Sequence, residues 1–296
     1  MRIKTAIIPV AGAGTRVFPM TTAIEKCMMP VYASCSSRPV VDYMVEDCVL
    51  AGIERIIFVT SARGKQQLKD YFETIPAGLE AQIRGLDKQK IIDKENDRRQ
   101  AYNVKFEYVV QPADKYGTAY PPYLSRELLD GEDAFALMGG DDFVYRQDGG
   151  SELADAIALW EDGEADHVIM GNPVPHEQGS RFGILHVDPK GHMIKIDEKP
   201  PMSRVPAAPV ANISRYILSA KIWPQLEAEM AKERFGSDEH FITYAINDAL
   251  DAGQSFLVHE VKGKYLEGGS FDGLQAAGVW ISQHPKKIPQ GSSVVI

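Results

Sequence analysis

Cysteine is scarce in this chain, and none of it is arranged for bonding. Cys27, Cys35 and Cys48 are the only three in 296 residues, with no CxxC pair and no metal-ligand spacing. An odd count without a framework points to a reducing compartment, not to a disulfide scaffold. Long apolar runs are missing too: nothing approaches the roughly 18 residues of a membrane helix, and the start, MRIKTAIIPV, is too poor in apolar residues for a signal-peptide core. Basic excess is absent, since the formal net charge is −9. That sign excludes non-specific affinity for nucleic acid or an anionic membrane. It leaves room for a small phosphorylated ligand, which needs only a few local cations. A cytoplasmic protein with no nucleic-acid and no membrane partner is expected.

Familiar catalytic signatures are lacking as well. The seven histidines form no HExxH, so a transition-metal site has no support. There is no GxSxG, and hence no nucleophile elbow. In VAGAGTRVFPMTTAIEKCMMPV, no GK[ST] follows the glycines, which rejects a Walker A loop. A dinucleotide fingerprint fails because Val17 stands where the third glycine belongs and the second strand closes on Val59-Thr60, not on an acid.

What is present is globular: 44% hydrophobic and 25% charged residues, ample for a core. Thr5–Val10 reads as a buried strand ended by Gly12 and Gly14. Val41, Met44, Val45, Cys48 and Val49 follow helical spacing between Pro39 and Ala51, with Gly52 as a C-cap. ERIIFVT (Glu54–Thr60) closes a first βαβ unit. Strands over Val104–Gln111, Ala134–Met138 and His167–Gly171 alternate with helices over Gln66–Phe72, Ala119–Leu129 and Ser151–Asp162. The polar stretch from Gln82 to Gln100 reads as a solvated helix or loop. Beyond Pro173 short strands follow, Gly183–Val187 and Met193–Asp197. A surface loop at MSRVPAAPV and helices near Ala220–Arg234 and Phe241–Ala252 come next. Such alternation predicts an α/β fold built on a Rossmann-like mixed, mostly parallel sheet flanked by helices.

Four groups of residues carry candidate chemistry. The glycine loop Ala11-Gly12-Ala13-Gly14-Thr15 can line a phosphate chain with backbone N–H groups, Arg16 offers a fixed fork of donors, and Lys26 adds a second cation ten residues on. A plain structural turn would look similar. Gly139-Gly140-Asp141-Asp142 follows the apolar AFALM at the carboxyl end of a strand, where open α/β sheets bind ligands. A carboxylate there suits Mg²⁺, a hard cation preferring oxygen, although Gly-Asp turns are also common connectors. Asp197-Glu198-Lys199-Pro200 pairs a hydroxyl acceptor with a cation, as a sugar phosphate would require, and alone it is equally at home on a surface. Gln111 with Gly117-Thr118-Ala119 can face a base edge.

In order along the chain, IIPVAGAGTRVFPMTTAIEKCMMP, VVQPADKYGTA, MGGDDFV, SRFGILHVD, DEKP, SRYIL, SDEHFITYAI and GKYLEGGSFDGLQA resemble the nucleotidyltransferases that activate sugar 1-phosphates. The resemblance runs from about Ile3 to about Ala277. It implies one nucleotidyltransferase unit over 1–285, with a nucleotide-binding part to about 171, a small sugar-binding β/α extension over about 172–285, and a tail over 286–296. It also implies UTP and a sugar 1-phosphate, glucose 1-phosphate first, as substrates, Mg²⁺ as cofactor, and a homo-oligomer. Mapped by motif, Arg16, Lys26 and Asp141 would be catalytic. Ala11 to Thr15, Gln111 and Gly117 would bind nucleotide, and Gln111 and Gly117 would read uracil. Asp142, Gly183, Glu198 and Lys199 would contact the sugar phosphate, and Asp141 with Glu267 would hold the metal.

The chain also departs from the family pattern. IEKCMMP replaces the usual IPKEMLP, a longer YASCSSRP replaces a short link, Ser214 stands for a glycine, and Glu267 for an aspartate. These leave open dTTP or CTP as donor, a different sugar 1-phosphate, and a non-catalytic nucleotide-sugar-binding protein.

Overall fold

The computed structural model describes residues 3–34, 36–233 and 239–287. Cys35, Arg234, the Ser237-Asp238 pair of the SDEHF motif and 288–296 of the tail lie outside the described residues.

The first apolar run becomes β1 (Thr5–Pro9), with four of its five residues fully buried. A hairpin follows, β2 (Pro30–Ala33) and β3 (Ser36–Pro39), leading into α1 (Val40–Leu50). Next come β4 (Arg55–Thr60), α2 (Ala62–Phe72), α3 (Ala77–Gly85), α4 (Gln89–Tyr102) and β5 (Lys105–Val110). The middle of the chain adds α5 (Tyr120–Leu124), β6 (Ala134–Met138), β7 (Asp142–Tyr145) and α6 (Glu152–Glu161). Four strands then run in succession: β8 (His167–Pro173), β9 (Gly183–Val187), β10 (Met193–Glu198) and β11 (Val210–Ser219). The described part closes with α7 (Trp223–Met230), α8 (Ile242–Asp251), β12 (Phe256–Glu260), β13 (Lys264–Glu267) and α9 (Phe271–Gln283).

One nine-stranded sheet organises these elements, in the order β10-β9-β11-β6-β1-β4-β5, with β8 on β11 and β12 on β8. Its run β6-β1-β4-β5 is parallel throughout, so the carboxyl ends of four strands open on one edge. The long β11 runs antiparallel to β6. Period-two alternation divides the core between the faces. Ile8, Ile56, Phe58, Ala136 and Met138 join one cluster with residues of α1, α2, α6 and α9. Ile7, Ile57, Val59 and Leu137 join the other, with residues of α7 and α8. A sheet covered on both faces accounts for its nearly uninterrupted apolar strands.

The structure differs from the sequence expectation at definite places. The helix expected over Ala119–Leu129 is α5 followed by a 3₁₀ turn at Arg126–Leu129, because the buried Ser125 hydroxyl donates to the Pro121 carbonyl at 2.9 Å and tightens the chain there. The helix near Ala220 starts as a 3₁₀ turn at Ala220–Ile222, becomes α7 at Trp223, and ends at Met230. The stretch from Gln82 to Gln100 is two helices divided near Asp87, whose φ is 58°. Arg98 and Arg99 tie it back by donating to the carbonyls of Tyr71 and Asp70 at 3.1 and 2.8 Å. YASCSSRP is no plain link, since its ends form the β2–β3 hairpin. That hairpin packs on α9, where the Tyr32 carbonyl comes so close to Gly278 that a Cβ would sit 2.1 Å from it.

Candidate active site

A cleft of about 860 Å³ lies at the carboxyl ends of β1, β4, β5 and β6. Its walls are the loop after Pro9, Lys26, Ser61, the turn from Gln111 to Thr118, Gly139 to Asp141, and Ser214 with Tyr216 from β11. Ligands of open α/β sheets bind in such a crevice.

Backbone geometry explains the glycines around it. Gly14 has φ +64°, and a Cβ there would lie 2.6 Å from Thr21 Cγ2 and 3.0 Å from Lys26 Cβ, so conformation and space both require glycine. A Cβ on Gly140 would lie 1.9 Å from the Pro9 carbonyl oxygen. Glycine lets the end of β6 pass the end of β1 and set Asp141 at the cleft.

Ala11, Gly12 and Ala13 line the cleft, whereas Gly14 and Thr15 shape the turn that presents Arg16. Gln111 and Gly117 line its far wall. The Gln111 side-chain amide donates to the Lys115 carbonyl at 2.7 Å, which fixes its orientation. Gly117 has φ +112° and lies against His240, where a Cβ would come within 2.3 Å of the carbonyl oxygen.

Four charges gather at the near end. Lys26 Nζ donates to Asp141 Oδ2 at 2.7 Å, and Arg16 Nη2 lies 3.4 Å from the same oxygen. Arg16 Nη1 donates to Glu267 Oε1 at 2.7 Å. The partial burial of Asp141 pushes its carboxyl up, but Lys26 and Arg16 outweigh that and hold it below the usual carboxylate range. Glu267 arrives by strand pairing: β13 runs antiparallel to β7 with Glu267 opposite Asp142, and the Gly268 amide donates to the Asp141 carbonyl at 3.0 Å. A Cβ on Gly269 would lie 2.6 Å from Arg16 Nη2 and 3.1 Å from Lys26 Nζ, so the second glycine of LEGG leaves space for both cations.

Asp142, expected at the sugar phosphate, is engaged elsewhere. It accepts from Arg215 Nη1 at 2.7 Å and from the Tyr265 hydroxyl at 2.6 Å in a buried cluster. Burial pushes its carboxyl up, against the Arg215 charge. Adjacent residues entering a strand face opposite sides, which sends Asp141 to the cleft and Asp142 to the interior.

Gly183, Glu198 and Lys199 do come together. Glu198 ends β10 opposite Gly183, and a Cβ on Gly183 would lie 2.9 Å from Glu198 Oε2. Thr243 of α8 donates to that oxygen at 3.5 Å. Burial pushes the Glu198 carboxyl up, and its charge is felt at the phenol of Tyr216 in the cleft wall. Lys199 turns away from the strand at φ +43°, its amide donating to the Phe182 carbonyl at 3.1 Å.

A second acidic group, Glu152, Asp155 and His259, has ligand atoms close enough to hold a metal ion. It is already neutralised. Glu152 accepts from His259 at 2.9 Å and from the Gly263 amide at 2.6 Å, and Asp155 accepts from Arg146 and Lys262, each at 2.9 Å.

A family model described as Nucleotidyl transferase matches residues 5–281. The chain belongs to that family. Among nucleotidyl transferases it is 33% identical over 279 residues to the UTP–glucose-1-phosphate uridylyltransferase of Pseudomonas aeruginosa, covering 92% of this chain and 93% of that protein. It matches a UDP-glucose pyrophosphorylase from Acinetobacter baumannii with a TM-score of 0.81 at 30% identity, over 96% of this chain and 95% of the other. A UDP-glucose pyrophosphorylase complexed with UDP-glucose matches with a TM-score of 0.76 at 27% identity, over 95% of this chain and 99% of the other.

Sequence reading passed over several residues around this nucleotidyl transferase cleft. Ser61 lines it and caps α2, accepting from the Gly64 amide at 2.9 Å. A serine directly after an apolar strand is a readable helix start. Tyr216 and Gly269 lie within motifs already noticed, SRYIL and GKYLEGGSFDGLQA. Arg63 had no local signal, because its pairing with Glu25 of IEKCMMP crosses 38 positions.

Proposed function

We propose that the protein transfers a uridylyl group from UTP to glucose 1-phosphate, releasing UDP-glucose and pyrophosphate. The observation that carries it is the set Arg16, Lys26, Asp141 and Glu267, two cations interleaved with two carboxylates at the phosphate end of a nucleotide-sized cleft. In this assignment the part to about residue 171 binds nucleotide and the part over about 172–285 binds sugar. An oxygen of the sugar phosphate forms the new bond to the α-phosphorus while the bond to pyrophosphate breaks, in line. A phosphate is already nucleophilic at neutral pH, so the cleft supplies no general base.

The protein's task is to hold two polyanions together and spread the charge of the transition state. Arg16 and Lys26 neutralise phosphate oxygens. Gln111, anchored on Lys115, and the Gly117 turn face the base. Glu198 accepts sugar hydroxyls, and Lys199 meets the sugar phosphate. Asp141 and Glu267 fit a hard divalent cation such as Mg²⁺: both are carboxylates, and one guanidinium already bonds to both. When bound there, the cation supplies charge neutralisation at the triphosphate.

The test is pyrophosphate release from purified protein with UTP, glucose 1-phosphate and Mg²⁺, beside a panel of dTTP, CTP, ATP and GTP and of other sugar 1-phosphates. No release with any pair overturns transferase activity, and a clear preference for another pair reassigns the substrates. Asp141→Ala should lower turnover by about 10²–10³.

A further inference from the structure

Lys26 opens the last of three short 3₁₀ turns between β1 and β2, and its ammonium is aimed at Asp141. Its predecessor Glu25 is buried, only 6% exposed. Glu25 Oε1 accepts from the Ser61 hydroxyl at 2.8 Å and from Arg63 Nε at 2.9 Å, and the Glu25 amide donates to Gln67 Oε1 at 2.9 Å. Arg63 continues the grip by donating to the carbonyls of Thr22 and Thr21 at 2.9 and 2.8 Å. Gln67 adds a longer bond to the Ala23 carbonyl at 3.3 Å. Thus Thr21, Thr22, Ala23 and Glu25 are all fastened to the first turns of α2, which the parallel sheet holds in place.

This fastening reaches both phosphate-facing features of the cleft. Lys26 follows Glu25 directly. Thr21 and Lys26 are also the side chains against which Gly14 is packed. A buried carboxylate is retained only when its hydrogen bonds are satisfied, and among the described residues they come from Arg63 of α2 and from Ser61, which caps it. We propose that Glu25, acting through Arg63 and Ser61, is a positioning residue that sets Lys26 and the glycine turn for phosphate transfer. Glu25 contributes no atom to the cleft. The proposal rests on the uridylyltransferase assignment above.

The test is a double-mutant cycle read in steady-state pyrophosphate release, with Lys26→Ala as reference. Glu25→Ala should lower kcat by about 10–10²-fold, the cost of displacing a catalytic group by about 1 Å. UTP KM should rise with it, and glucose 1-phosphate KM should stay unchanged. Glu25→Gln keeps an acceptor oxygen and should recover most of the loss. In the Lys26→Ala background Glu25→Ala should cost less than about two-fold more, because residues acting through one another are not additive. Arg63→Ala, on a half-exposed side chain, carries the same cycle if Glu25→Ala does not fold. A Glu25→Ala protein with parental kcat overturns the proposal, as does full additivity with Lys26→Ala or an equal rise in both KM values. If Lys26→Ala itself keeps parental activity, the assignment of the phosphate site fails, and the positioning role with it. If Lys26→Ala is crippled while Glu25→Ala is not, only the positioning role fails.

Discussion

Removing Arg16 should move two measurable quantities in opposite directions. Its guanidinium bonds to Glu267 at 2.7 Å and lies 3.4 Å from Asp141, the two carboxylates assigned to the divalent cation. A cation entering there must displace both contacts. The Arg16 side chain is 55% exposed, so each contact is worth roughly 0.2–1 kcal/mol after screening and side-chain entropy. Two such contacts amount to about 0.4–2 kcal/mol, or about 2–30-fold in affinity. Arg16→Ala should therefore bind Mn²⁺ more tightly by about that factor in the absence of nucleotide, read by water-proton relaxation on titration. The gain should shrink as ionic strength rises. Turnover should instead fall by about 10²–10³, since the same side chain is proposed to stabilise phosphate charge. Lys26, only 15% exposed and 2.7 Å from Asp141, stays in place in this variant, so Arg16→Ala with Lys26→Ala should bind Mn²⁺ more tightly still. Unchanged or weaker Mn²⁺ binding by Arg16→Ala would refute the displacement reasoning.

Other expectations follow from single residues. Burial raises the Glu198 carboxyl above the ordinary 4.5, so its ionised form costs stability at neutral pH, and that cost vanishes as the pH falls below the unfolded value. Glu198→Gln should raise Tm at pH 7 but not at pH 4, while raising the sugar 1-phosphate KM; an unchanged or lower Tm at pH 7 counts against it. His167 is fully buried, and burial depresses its imidazole from 6.5 to about 4. The unfolded chain then takes the proton first. The stability due to neutral His167 is complete above pH 6.5 and is lost, by about 3 kcal/mol in all, as the pH falls to about 4. His167→Gln should flatten that part of the urea-denaturation pH profile, and identical slopes would contradict it. Gly117→Ala forces a Cβ to 2.3 Å from the His240 carbonyl oxygen at φ +112°. UTP KM should rise by about ten-fold or more as the turn shifts, with the glucose 1-phosphate KM little changed; equal effects on both would show a general disruption.

Much of the parallel half of the molecule was legible in the sequence. Thr5–Pro9, Arg55–Thr60 and Ala134–Met138 are mostly apolar runs and Lys105–Val110 is a mixed one, and the structure places each as a strand within a residue of the expected bounds. Ala134–Met138 and Gly183–Val187 coincide with their expected bounds. What escaped was long-range. Asp142 looks as available as Asp141 until Arg215, 73 positions away, claims it. The strands Asp142–Tyr145 and Lys264–Glu267 are four residues each and are stabilised by pairing with one another across more than a hundred positions. Neither has enough periodicity to announce itself. Glu198 and Gly183 were readable as a pair only through motif order, since a carboxylate before a turn proline has many ordinary uses.

The contact between Arg16 and Glu267 spans 251 positions, and this has a consequence for the order of events during synthesis. A ribosome releases the glycine loop, Lys26 and the first parallel strands long before it makes β13. During that interval Asp141 can meet Arg16 and Lys26, but the fourth charge does not yet exist. The β2–β3 hairpin is likewise without the α9 surface on which the Tyr32 carbonyl rests. The nascent chain therefore completes the Gly117 wall only once His240 has been made, and the Arg16–Glu267 end only as the last strand and helix emerge.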